Sequence, residues 1–113
     1  MSAVSPVRAW LCEAAQRIEA ALGPARVKRI VLPPLVDKPG KEGEFCAVQL
    51  DDGVVGLAFT LLDGTLAALH ARGADSGRAA MDLVRGYAAD DGAARALGLA
   101  TINALTRRLF DRA

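Results

Sequence analysis

The chain has few aromatic residues, one histidine and two cysteines among its 113 residues. Because phenylalanine, tyrosine and tryptophan make up only 4% of the sequence, the core must be built from small side chains, which let helices approach a sheet closely. The single histidine, His70, excludes HExxH and facial-triad metal sites, which need two histidines. Cys12 and Cys46 do not have the CxxC spacing of a zinc knuckle or redox pair, so we expect free thiols.

The sequence also lacks a strong net charge and a long apolar run. Fourteen basic and thirteen acidic residues give a formal net charge of +1, so no single-sign field attracts nucleic acid or an anionic membrane. The longest apolar run, residues 54–62, is too short to cross a bilayer, and the N-terminus does not have the pattern of a signal peptide. We therefore expect a cytoplasmic protein that binds neither nucleic acid nor membranes.

A helical pattern is present at the N-terminal end of the chain. Apolar residues recur at helical spacing from Val7 to Leu22, and Gly23-Pro24 ends the run. Polar residues occupy the opposite face of this helix. The pattern places Cys12 on the polar side or at the boundary of the helix.

Two further helices are predicted near the C-terminus. One covers residues 78–87 with Ser76 as its N-cap, and the other covers residues 90–110, with Asp90 or Asp91 as its cap. The last helix has an apolar stripe with Asn103 at its border, formed by Leu97, Thr101, Ile102, Leu105 and Leu109.

Strand patterns fill the middle of the sequence. Residues 26–32 are rich in β-branched side chains and end at a Pro-Pro pair, and a polar loop is predicted from there to residue 44. Residues 45–50 and 54–62 flank an Asp-Asp-Gly sequence, which predicts a β-hairpin. A second Asp-Gly pair at residues 63–64 predicts a turn into a short fourth strand over residues 65–70.

The order of these elements predicts one α+β domain that spans residues 1–113. We expect an N-terminal helix, an antiparallel meander of three to four strands, and two C-terminal helices packed on one face of the sheet. A parallel βαβ architecture would need an alternation of strands and helices that the sequence does not have.

Two segments resemble the N-terminal domain of the DUF4213/DUF364 proteins, a family described in terms of heavy-metal chelation. They are VVGLAFTLLDG at residues 54–64 and AADDGAARALGLATINAL at residues 88–105. Gly56-Leu57-Ala58 matches a strand pattern of that family, and Gly98-Leu99-Ala100 with Asn103 matches its GLAxxNA signature. The resemblance implies an enolase-N-terminal-like α+β domain. Members of that family usually continue into a Rossmann-like second domain, which we expect to be absent here. We expect the family's ligand site in that second domain or in the cleft between the domains, so that at most half of a site is present.

Few side chains are candidates for chemistry. Asn103 could hold a ligand at the edge between helix and sheet, but we favour a structural role in which its amide satisfies backbone groups at a strand end or in the loop before it. The soft metal donors are Cys12, Cys46, His70 and Met81. Their spacing does not bring them together, and we expect Cys46 in the core, Cys12 at a boundary and His70 exposed at a strand end.

Other patterns have simpler explanations than a catalytic site. The basic residues near the C-terminus, Arg107, Arg108 and Arg112, lie where positive charge favours the last helical turn, and we assign them to the helix dipole and to solubility. The sequence has no GxSxG nucleophile elbow, and catalysis by this chain alone is not expected.

Three functional hypotheses follow, from different classes. The first is a noncatalytic binding or assembly module, either a homodimer or a subunit that docks on a separate Rossmann-like protein. The alternative is a small metal-handling protein that binds a thiophilic metal through Cys12, Cys46 or His70. The third is an enzymatic role shared with a partner subunit.

Overall fold

The computed structural model describes residues 6–33, 45–60, 65–72 and 76–112. In chain order the elements are α1 (Pro6–Leu22), β1 (Val27–Val31), β2 (Phe45–Leu50), β3 (Val55–Phe59), α2 (Thr65–Arg72), α3 (Ala80–Val84), a 3-10 turn (Arg85–Ala88) and α4 (Gly92–Asp111). This arrangement confirms the predicted α+β class. Most of the predicted polar loop and the whole second Asp-Gly turn lie outside the described residues. No described helix is long and apolar enough to cross a membrane.

The three strands form one antiparallel sheet in the order β1-β2-β3. Val48 in the central strand lies opposite Ile30 on one side and Gly56 on the other. The predicted hairpin joins β2 to β3, and Gly53 takes a φ of 94°, a left-handed conformation that favours glycine. Its N–H donates to the carbonyl of Leu50 at 2.9 Å, which closes the turn.

The segment before α3 pairs with the start of β1. The N–H of Val27 donates to the Arg78 carbonyl at 2.8 Å, and the N–H of Gly77 donates to the Val27 carbonyl at 2.7 Å. The hydroxyl of Ser76 donates to the carbonyl of Lys28 at 2.9 Å. The prediction that Ser76 caps the helix was therefore wrong, because the N-cap position of α3 belongs to Ala79.

The last helix packs across β3 and β2 and contributes more residues to the core than any other element. It begins as predicted at an acidic cap, where the Asp91 carboxylate accepts the N–H of Ala93 at 3.3 Å. Gly56 permits close contact with α4, because a Cβ atom there would overlap the carbonyl oxygen of Ala100 and the backbone of Ala104. The small residues of β3 thus determine how closely helix and sheet approach each other.

Two expectations about the local structure need correction. Residues 65–70 are not a fourth strand but part of α2, in which Thr65, Leu66 and Leu69 are buried at helical spacing. Alanine and leucine favour helix over strand, and three buried positions at this spacing give α2 a stripe that packs on the core. In α1, Val7 and Trp10 face solvent, at 62% and 64% exposure, although both follow the apolar stripe.

Candidate functional site

The helices cover one face of the sheet and leave the other face exposed. Four large apolar side chains on it are between 45% and 68% exposed, namely Val31, Val55, Leu57 and Phe59. Phe45 and Ala47 alternate onto the same face of β2, opposite Phe59 and Leu57 respectively. We call the six residues Val31, Phe45, Ala47, Val55, Leu57 and Phe59 the open sheet face.

The open sheet face has no charged side chain among its six members. At one end of it Arg29 and Gln49 lie opposite each other on β1 and β2. A shallow depression of about 190 Å³ lies beside Phe45, Leu57 and Phe59. The composition suits contact with another apolar surface better than it suits binding of a polar molecule.

Asn103 lies beside the open sheet face, at the outer edge of β3. Its amide nitrogen donates to the carbonyl of Leu57 at 2.7 Å. Leu57 belongs to an edge strand, so among the described residues this carbonyl has no neighbouring strand to bond with on that side. The contact agrees with the structural role that the sequence favoured for Asn103, and any role of this residue toward a ligand stays a prediction.

Both cysteines are free thiols and lie in different environments. Cys46 on β2 is completely buried, and burial raises the pKa of its thiol to about 11. Cys12 is half-buried on the side of α1 that faces the core, and its thiol donates to the Val84 carbonyl at 3.5 Å. Burial also raises the pKa of Cys12 above the ordinary value of a thiol. Both side chains are therefore protonated at neutral pH.

The four soft donors do not form one cluster. Cys12 and Met81 line the same groove, of about 500 Å³, between α1 and α3, whereas Cys46 and His70 do not. His70 is exposed as predicted, but it lies on α2 rather than at a strand end, with Nε2 at 2.8 Å from the Pro33 carbonyl. Within the described ranges, no group of three or more His, Cys, Asp and Glu side chains could hold a metal ion.

Arg108 has a role that sequence reasoning missed. It is only 6% exposed, and its guanidinium donates to the carbonyls of Gly23 at 2.7 Å and Leu22 at 3.2 Å. Arg108 lies in the last turn of α4 as predicted, but it is buried against these carbonyls at the C-terminal end of α1, so its assignment to solubility was wrong. Its spacing gave a signal, since position 108 continues the buried row of Thr101 and Leu105 on α4.

Comparison with protein families gave a match over more than half of the chain. Residues 43–106 match the model of the family DUF4213, described as "Putative heavy-metal chelation". The matched range contains β2, β3 and most of α4, including the positions that carried the resemblance in the sequence. Neither the curated proteins nor the solved structures gave a match to this chain.

Proposed function

The chain belongs to the DUF4213 family, and from this premise we propose that it is a noncatalytic assembly module that self-associates through the open sheet face. The observation that carries the proposal is the exposure of four large apolar side chains on adjoining strands, of which Leu57 and Phe59 are the most exposed. Scattered apolar residues are normal on a protein surface, but contiguous ones usually mark an interaction site.

The charge of the surface favours a second copy of the chain as the occupant. In a two-fold dimer the same patch meets itself, so any charge at its centre would face a like charge. The open sheet face is neutral, and the nearest charge on its strands, Arg29, lies at one end of it. Two such sheets can pack face to face at about 10 Å with interdigitating side chains. A separate Rossmann-like protein is the other candidate occupant.

The size of the open sheet face determines how strong a dimer we expect. Stable interfaces contain about 20 to 30 residues on each side. Six face residues with their rim fall below that number, so the proposed dimer is weak and depends on concentration. Its association should weaken little with added salt, because apolar contacts rather than ion pairs form the centre.

Sedimentation velocity over a wide range of concentration tests the proposal. We expect the mean mass to rise with concentration in the native chain and to stay at that of a monomer in Leu57→Lys. Trp10→Lys is the control, because Trp10 is 64% exposed on α1, a helix that packs on α3 and α4, and this variant should still associate. A native chain that stays monomeric at every concentration would overturn self-association. An equal loss in both variants would overturn the role of this face.

Metal handling is the second candidate function, supported by the family description and by one groove of the fold. Cys12 and Met81 line one groove, and a thiolate with a thioether suits a soft ion such as Cu(I). Because the thiol is protonated at neutral pH, metal binding has to displace its proton and should strengthen as pH rises.

Native mass spectrometry of the protein purified without chelator, followed by titration with Cu(I), tests this second function. We expect one ion per chain, lost in Cys12→Ser and weakened in Met81→Leu. Cys46→Ala is the control, because Cys46 lies outside the groove. Binding that survives Cys12→Ser unchanged would overturn the assignment, and so would the absence of any bound ion.

A further inference from the structure

A groove at the N-terminal end of α4, which shares only Phe59 with the open sheet face, has features of a ligand site. It has a volume of about 320 Å³ and includes Arg8 of α1, Thr60 after β3, Tyr87, and Gly92 and Arg95 of α4. From this arrangement we propose that the groove binds a small organic anion, with its carboxylate or phosphate head held by Arg8 and Arg95. This inference goes beyond the proposed assembly function and does not depend on it.

Thr60 is the first observation that points to a ligand. Its side chain is only 2% exposed, and its hydroxyl has no hydrogen-bond partner in the part of the chain that the structure describes. The threonines of α4 are different, because Thr101 and Thr106 donate to carbonyls one turn back, at 2.7 and 2.9 Å. Buried hydroxyls are normally bonded. Because Thr60 lines the groove, a ligand there would give its hydroxyl a partner that the described residues do not provide.

The two arginines are the second observation. Arg8 has no ion pair with any described residue, and its Cζ atom lies 6.0 Å from the ring centre of Tyr87. Arg95 donates from Nε to the Ala89 carbonyl at 2.6 Å and from Nη2 to Asp90 at 2.9 Å. The Asp90 side chain is 80% exposed, so this ion pair is weak, and a bound anion can replace it.

The N-terminus of α4 adds a smaller attraction for an anion. The dipole of the 20-residue α4 favours negative charge at Gly92. The Asp91 carboxylate already accepts the N–H of Ala93 at 3.3 Å, so one amide of the first turn is in use. The guanidinium groups therefore supply most of the attraction for an anion, and a planar guanidinium suits both carboxylate and phosphate.

The rest of the groove sets the class of ligand. Phe59, Ala96 and Leu99 line it, which gives an apolar wall beside the polar groups. A volume near the lower end of the range for ligand pockets fits a small molecule. An organic anion with a short apolar or aromatic part uses both halves of the groove, whereas inorganic phosphate uses only one.

Titration with phenyl phosphate and benzoate, followed by amide chemical shifts in NMR, tests the proposal. Benzyl alcohol serves as the uncharged probe, and inorganic phosphate serves as the probe without an apolar part. We expect saturable shifts at residues 59–60, 87 and 92–96 with one or both organic anions, and much weaker binding of the other two probes. The comparison of phenyl phosphate with benzoate distinguishes a phosphate head from a carboxylate head.

Three variants relate the binding to the named side chains. Arg8→Gln should weaken binding of the preferred anion about tenfold, the effect of one charge-assisted hydrogen bond. Arg17→Gln is the matched control, because Arg17 lies on the same helix, is 78% exposed and pairs with Glu13. Thr60→Val should weaken binding without lowering the midpoint of thermal unfolding, because the hydroxyl has no described partner to lose.

Several results would overturn the proposal. One is the absence of saturable shifts at the groove with both organic anions. Another is equal binding in Arg8→Gln and the native chain, or an equal loss in Arg17→Gln. If Thr60→Val unfolds at lower temperature and binds the anion as tightly as the native chain, the hydroxyl has a structural role only, and its part in the site is wrong.

Discussion

The Nε atom of Arg108 lies 3.0 Å from the carboxylate of Asp52. Both side chains are largely buried, at 7% and 24% exposure, and they join the turn of the β-hairpin to the last helix. The other guanidinium nitrogens of Arg108 bond to Leu22 and Gly23 at the end of α1. One arginine therefore connects three segments that are far apart in the sequence, and Asp52 neutralises its charge.

Removal of that neutralising charge should destabilise the fold. Asp52→Asn keeps an oxygen for the N–H of Val54 but leaves Arg108 buried without an anion. We expect a loss of about 2 kcal/mol in the free energy of unfolding, below the usual cost of breaking a fully buried pair because Asp52 is partly exposed. Urea denaturation measures it. Asp111→Asn is the control, since its pair with Arg107 is exposed and should contribute less than about 0.5 kcal/mol. Equal losses would contradict this role of Asp52.

The close approach of β3 and α4 gives a second prediction. Gly56→Ala places a methyl group on the backbone of Ala100 and Ala104, which cannot move without shifting the helix. We expect a loss of at least about 3 kcal/mol or failure to fold, measured by circular dichroism and urea denaturation. Gly53→Ala is the comparison. It has no atom within 4 Å but a φ of 94°, and should lose about 1 kcal/mol. A Gly56→Ala protein as stable as Gly53→Ala would show that the packing is looser than described.

The bond between Asn103 and the edge of the sheet gives a third prediction. Asn103→Leu removes the donor to the Leu57 carbonyl, and we expect a loss of about 1 kcal/mol in the free energy of unfolding. Asn103→Asp should lose at least as much, because its carboxylate repels the carbonyl oxygen. Urea denaturation of both variants measures the effect. Unchanged stability would remove the structural role of Asn103 and favour the ligand role.

Most of the fold could be predicted because the patterns along the chain are regular. The strands of the hairpin and the long helices α1 and α4 each repeat an apolar period several times. The prediction of a strand over residues 65–70 was wrong because six residues are too few for the apolar period to decide between strand and helix. The prediction of which face of α1 is buried was wrong for another reason. Trp10 and Cys12 lie on different sides of the helix, and the sequence does not show which of them α3 and α4 will cover.

The candidate sites were harder to predict than the fold. Arg8, Thr60 and Arg95 come from three separate parts of the chain, and no local spacing connects them. Arg108 has the same difficulty, because its spacing on α4 indicates burial but its partner Asp52 lies in a distant turn. Chemistry that depends on such long-range contacts becomes visible only when the chain is folded.

The buried thiol of Cys46 gives a prediction about alkaline pH. Its pKa is raised to about 11 in the folded chain, against an ordinary value of about 9 that applies when the chain is unfolded. The folded state therefore keeps a proton that the unfolded state loses, so this contribution to stability is complete below about pH 9 and is lost as pH rises to about 11.

Urea denaturation of the native chain and of Cys46→Ala, at pH 8 and pH 10, measures the effect. We expect stability to fall more steeply with pH in the native chain than in Cys46→Ala, because the variant has no thiol to ionise at this position. The variant also loses stability at both pH values through the smaller side chain, so the comparison rests on the slope with pH. Equal slopes in the two proteins would contradict the protonated, buried state of Cys46.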